Sequence, residues 1–244
     1  MTCRNCHTDF NGNYCNNCGQ SAKTKRFSFK YFVRESFASS LDIENGFFLS
    51  FKLLLLNPGK SIKAYIQGSR VSLYPPAKFL ILSGAIATFL AIRYRFYSDS
   101  YIAGLSELSD MDPKGFLNFA EEYATLINAL TIPIFAFFSY LFFKSKGYNY
   151  TENLVLNMYI TVMQMMGLLF FVPFLEFFPD FKGPILIIYT LGTLLYNVWA
   201  YLDFFDARNS KGVLTIALIL IASYLTQYLV NNLIFLLITQ ASWL

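Results

Sequence analysis

Apolar and polar positions divide this chain near Pro76. Beyond it, long apolar stretches follow one another with polar breaks, whereas before it apolar, aromatic and basic residues are interleaved. A helix needs about 20 mostly apolar residues to cross the hydrocarbon core of a bilayer. Stretches near that length are Ala77–Ile92, extendable to Tyr97, then Thr125–Phe143, Asn153–Leu175, Pro184–Leu202 and Val213–Thr239. A further apolar run, Gly46–Leu56, is short and interrupted by Ser50 and Lys52, which suits an interfacial or re-entrant helix. The pattern predicts an all-α integral membrane protein with about five transmembrane helices over 77–244.

Polar side chains inside the expected spans recur at helical spacing and so share faces. Asn153, Asn157, Thr161 and Gln164 form such a stripe; Tyr189, Thr193, Tyr196 and Asn197 form a second; Ser223, Gln227 and Asn231 form a third. Polar groups are disfavoured against lipid, so the stripes should face one another or a wet cavity. The candidate intramembrane site is therefore Asn157, Thr161, Gln164, Tyr196, Asn197, Gln227 and Asn231. Interhelical hydrogen bonding is the plainer use of the same residues. Ser83, Ala87 and Ala91 make a small-residue stripe suited to close helix approach, within one chain or in a homo-oligomer. The carboxylates Glu152, Glu176 and Asp203 fall at span ends, within reach of water or headgroups.

Composition agrees with the pattern. Of 244 residues, 55% are hydrophobic, 19% aromatic and 14% charged, and the mean hydropathy is +0.43, too apolar for a soluble domain. Charge then orients the chain. Up to Lys78 there are eleven Lys/Arg against four Asp/Glu. The connection from Arg93 to Ala124 instead sets Arg93, Arg95 and Lys114 against Asp99, Glu107, Asp110, Asp112, Glu121 and Glu122. The positive-inside rule places the N-terminus in the cytoplasm and, with five spans, the C-terminus outside. Residues 23–76 mix these cations with Phe27, Phe29, Tyr31, Phe32 and Phe37, as expected of interfacial amphipathic helices on anionic lipid. Arg70 and Tyr74, just before the first span, are candidates for headgroup contact; an anchor with an aromatic belt residue explains them equally well.

Candidate chemistry is concentrated in residues 1–22. The only cysteines, Cys3, Cys6, Cys15 and Cys18, form two C-x-x-C pairs. That spacing suits a tetrahedral thiolate site, with Zn2+ as the structural metal and iron as the alternative. A closed set of four thiolates leaves no position for a catalytic water. His7 adjoins Cys6 and reads as a solvated neighbour. So short a polar segment must draw its folding energy from metal, about 10–16 kcal/mol in zinc-finger peptides. No Walker loop, zincin motif or nucleophile elbow is present, and Glu121–Glu122 would point apart on a helix. The expectation is a protein that is not an enzyme.

Several motifs resemble an uncharacterised bacterial membrane-protein family of the domain-of-unknown-function 3667 type, with an N-terminal zinc-ribbon stub. They are Cys3-Arg4-Asn5-Cys6, Gly12-Asn13-Tyr14-Cys15-Asn16-Asn17-Cys18-Gly19-Gln20, Asn57-Pro58-Gly59, Tyr65-Ile66-Gln67-Gly68-Ser69-Arg70 and Tyr74-Pro75-Pro76. The resemblance implies a multi-pass protein of the bacterial inner membrane and brings no activity. Two functions follow as expectations. One is a membrane adaptor or scaffold whose cytoplasmic ribbon contacts a protein partner. The other is a permease-like or lipid- or small-molecule-handling protein with a polar intramembrane cavity. Nucleic-acid binding is disfavoured, because membrane orientation already accounts for the basic charge.

Overall fold

A computed structural model of the chain describes residues 1–24, 26–38, 46–94 and 130–241. Among them every regular element is helical. A small ribbon precedes α1 (Phe29–Ala38), α2 (Phe47–Leu56), α3 (Pro58–Gln67) and α4 (Pro76–Tyr94). After these come α5 (Leu130–Phe142), α6 (Tyr150–Phe177), α7 (Lys182–Phe204) and α8 (Ser210–Ala241). The connection carrying Glu121–Glu122 and the first residues of the expected span 125–143 lie outside the described residues.

Among the described residues, three helices are long and apolar enough to cross a membrane: Tyr150–Phe177, Gly183–Phe204 and Ser210–Ile234. They coincide with the last three expected spans. The described apolar portions of the first two, Pro76–Leu90 and Leu130–Phe142, are shorter, so five spans remain an expectation that the structure meets for three. The run Gly46–Leu56 forms a separate ten-residue helix, α2.

The helices pack in both parallel and antiparallel pairs. Tyr159 donates to the Tyr74 carbonyl and Ser83 lies against the Met165 sulfur, so α4 and α6 ascend together. Gln164 bonds Asn197 and Asn157 bonds Tyr201, so α7 runs antiparallel to α6. Lipid offers little hydrophobic drive between helices, which leaves packing and hydrogen bonds to hold them. At the ribbon end the drive is burial. There α3 turns Gly59, Ile62, Tyr65 and Ile66 inward at helical spacing, into a core with Phe27, Phe79, Tyr159, Tyr201, Phe204 and Phe205. Each fully buried side chain of this size contributes about 1.5–3 kcal/mol.

The motif Asn57-Pro58-Gly59 has a steric reason. Pro58 opens α3, where its missing N–H costs nothing. A Cβ on Gly59 would fall 2.3 Å from the Phe204 nitrogen and 2.5 Å from the Asp203 carbonyl carbon. The Lys60 amide donates to Asp203 Oδ2 at 2.9 Å, so the end of α7 caps the start of α3. Glu152 likewise closes a capping box with Asn149 at the start of α6. These carboxylates are therefore not solvated as their position in sequence suggested. Glu152 is 2% and Asp203 6% exposed, because backbone amides and the guanidinium groups of Arg26 and Arg208 take the place of water.

Candidate metal centre

The ribbon is built from two equivalent halves, related by a shift of twelve positions that carries Cys3 to Cys15 and Cys6 to Cys18. In the first half the Cys3 amide donates to the Thr8 carbonyl and the His7 amide to the Cys3 carbonyl. In the second, Cys15 bonds Gln20 and Gly19 bonds Cys15 in the same way. One antiparallel bridge closes each half, Thr2 with Asp9 and Tyr14 with Ser21. Both knuckles turn on a residue of positive φ, His7 at 58° and Gly19 at 71°. Glycine adopts that conformation freely, whereas histidine does so at a cost. His7 is exposed and stands outside the sulfur cluster.

The four Sγ atoms lie within 4.8 Å of one another. Cys3 and Cys18 are 3.5 Å apart and Cys6 and Cys15 3.6 Å. A tetrahedral ion with bonds of about 2.3 Å requires sulfur separations of about 3.8 Å. None of the four is joined in a disulfide, and the separations far exceed the roughly 2.05 Å of an S–S bond. The donor set and its geometry thus fit a metal ion.

Local dipoles set the thiols apart. The Thr8 hydroxyl and then its backbone lower the Cys6 thiol to about 5, and backbone hydrogen bonding from Cys6 lowers that of Cys3. Desolvation pushes Cys18 up to about 11. A cation would favour the thiolate at all four positions.

The ribbon is seated on the helices. Gln20, only 5% exposed, donates from Nε2 to the Gly68 carbonyl and accepts from the Arg70 amide through Oε1. Ser69 donates to Asn5 Oδ1 from the other knuckle. Gly68 sits at φ +122°, and a Cβ there would meet Arg4 Cδ at 2.9 Å. Beyond the ribbon, Arg26 makes a two-pronged contact with Glu152 at 2.8 and 2.9 Å and also reaches the Gly147 carbonyl. Asn149 Nδ2 donates to the Phe27 carbonyl. The N-terminal segment is therefore held to the start of α6 as well as to the end of α3.

The two residues suggested for headgroup contact do not stand open on the surface. The Arg70 guanidinium lies between the rings of Phe27 and Tyr31, 4.3 and 4.1 Å from their centroids. Tyr74 is buried, and its amide donates to Ser50 Oγ at 2.6 Å. Rings of the N-terminal segment roof this region: Phe27 is buried, Tyr31 and Phe32 are partly buried, and Phe29 is exposed.

The polar residues expected inside the membrane separate into two clusters. Tyr201 donates to Asn157 Oδ1 at 2.6 Å, while Asn157 Nδ2 donates to Ser139 Oγ and to the Asn153 carbonyl, joining α5, α6 and α7. Gln164 donates to Asn197 Oδ1, and Asn197 donates to the Tyr224 hydroxyl, joining α6, α7 and α8. Tyr196 reaches the Leu54 carbonyl on α2. Thr161, Gln227 and Asn231 are half-buried and enter neither cluster. Ser139, Tyr201 and Tyr224 were absent from the sequence-based set. Tyr201 lies four residues beyond Asn197 and Tyr224 three before Gln227, so helical spacing extends the α7 and α8 stripes to both.

Residues 44–88 match the family model described as Protein of unknown function (DUF3667). The match covers α2, α3 and part of α4, including Asn57-Pro58-Gly59 and the Gly68–Arg70 seat; the four cysteines precede it. No curated protein and no solved structure matches the chain.

Proposed function

We propose that this is a non-enzymatic adaptor of the bacterial inner membrane, which presents a zinc-stabilised ribbon to a protein partner on the cytoplasmic side. The carrying observation is the way the ribbon is mounted. Gln20 and Asn5 fasten one side to the Gly68–Arg70 turn, while Tyr14 stays 67% exposed beside the second knuckle. A contact surface held rigidly against the helices loses little entropy on binding. Bound zinc would supply a tetrahedral cross-link between the two halves.

The charge pattern supports a cytoplasmic ribbon, and a count of five spans would put the C-terminus outside. A reporter fused at Leu244 that proves cytoplasmic would overturn this topology. A photo-crosslinking side chain at position 14 in native membranes should yield a discrete protein adduct, and the same probe at buried Phe10 should not. The adduct should vanish in Cys15→Ala although the protein remains in the membrane. Absence of any adduct from position 14 refutes the adaptor reading. The permease-like alternative draws less support, because Gln164, Asn157 and Asn197 spend their polar groups on other helices rather than on an open cavity.

A further inference from the structure

A groove of about 150 Å³ opens between α2, α6 and α7. Phe51 and Leu55 form one wall, Gly167 and Phe170 the second, and Tyr189 and Gly192 the third. The polar groups along it are turned away. Gln164 Nε2 bonds Asn197, Tyr196 bonds the Leu54 carbonyl, and Tyr189 bonds the Gln164 carbonyl. What remains is hydrocarbon and ring surface, which offers water few polar partners.

Its room comes from missing side chains. A Cβ on Gly192 would meet nothing within 4 Å, and one on Gly167 only Tyr189 Cε2 at 3.7 Å. Lys52 is exposed on α2, one position from Phe51 and three from Leu55, and pairs with no carboxylate among the described residues. Around it Phe48, Leu49, Leu55 and Leu56 are also exposed. A lone cation on such a face fits a helix at the lipid boundary, its stem along the acyl region and its ammonium at headgroup level. One helical turn from groove residues, Phe174 on α6 follows Phe170, and Ile188 and Leu195 on α7 flank Gly192; all three are exposed.

We propose that this groove seats one acyl chain of an anionic phospholipid whose phosphate is held by Lys52. Charge complementarity and continuity with the apolar helix faces select a lipid as its occupant. The inference rests on the membrane reading above and is independent of the ribbon's partner.

The test uses the full-length protein in mild detergent, with dioleoyl phosphatidylglycerol or dioleoyl phosphatidylcholine added and binding read by native mass spectrometry. Wild type should retain one phosphatidylglycerol per chain through detergent exchange. One lysine at a membrane surface gives about a five-fold preference for anionic lipid, which Lys52→Gln should abolish. Gly192→Leu should reduce retention of both lipids by at least ten-fold, with folding verified by size exclusion and circular dichroism.

A phosphatidylglycerol carrying a photoreactive acyl chain supplies a readout that needs no variant. Adducts concentrated on Phe51, Leu55 and Phe170 support the site, and adducts spread evenly over α6–α8 overturn it. Equal retention by Gly192→Leu and wild type, or an unchanged lipid preference in Lys52→Gln, also overturns it. Release of the protein from membranes by alkaline carbonate would defeat the membrane reading itself. A pelleted protein that retains no lipid defeats the groove alone.

Discussion

Gly59→Ala should damage this fold far more than its size suggests. The added Cβ would lie 2.3 Å from the Phe204 nitrogen, 2.5 Å from the Asp203 carbonyl carbon and 2.7 Å from Asp203 Cβ, whereas ordinary contact begins at 3.4 Å. Two of the three obstacles are backbone, so no rotamer change relieves them, and α3 must withdraw from α7 by roughly 1 Å, costing about 1–3 kcal/mol of overpacking. Withdrawal also stretches the 2.9 Å bond from the Lys60 amide to Asp203. Weakening a bond to a buried carboxylate adds about 1–3 kcal/mol. Removing a glycine from a helix returns about 0.5–1 kcal/mol.

The expected net loss is thus about 1–5 kcal/mol, a fall in Tm of roughly 2–20 °C at about 2–4 °C per kcal/mol. Helix loss followed by far-UV circular dichroism in detergent is the assay. Gly192→Ala serves as the matched control, since its Cβ meets open space. Equal melting of Gly59→Ala, Gly192→Ala and wild type would refute the close-approach argument.

Arg26→Ala should lower stability by about 1–3 kcal/mol, because Glu152 is buried while Arg26 is 64% exposed and partly screened; Arg26→Lys, which cannot reproduce the forked contact, should recover only part of the melting temperature. Asn157→Leu should cost about 1–3 kcal/mol in the same melt by stranding the buried Tyr201 hydroxyl, and the double variant Asn157→Leu/Tyr201→Phe should cost less than the two singles summed. Chelation should expose residues 1–24 to protease while α6 and α7 stay protected, with one zinc released per chain in metal analysis. In Gln20→Ala the ribbon should become protease-sensitive at lower chelator concentration, since its seat on Gly68 and Arg70 is lost.

The sequence by itself carried whatever depends on composition and spacing. Long apolar runs announce α6, α7 and α8, because lipid leaves a chain little choice but to satisfy its backbone internally. Two C-x-x-C pairs announce four converging sulfurs, because knuckle geometry is local. Polar stripes on α6 and α7 were legible for the same reason, since side chains on one helix face recur by period.

Tertiary structure decided the pairings between segments far apart in the chain. Nothing near Gly59 in sequence reveals that Phe204 lies against it, and nothing near Gln20 shows that its amide closes the end of α3. Glu152 and Asp203 looked like solvated span-end acids and proved to be buried caps. Arg70 and Tyr74 looked like surface anchors and proved to be packed among aromatic rings. Whether a polar residue faces lipid, water or another helix depends on which helix lies beside it. That is a property of long-range packing, and no local period encodes it.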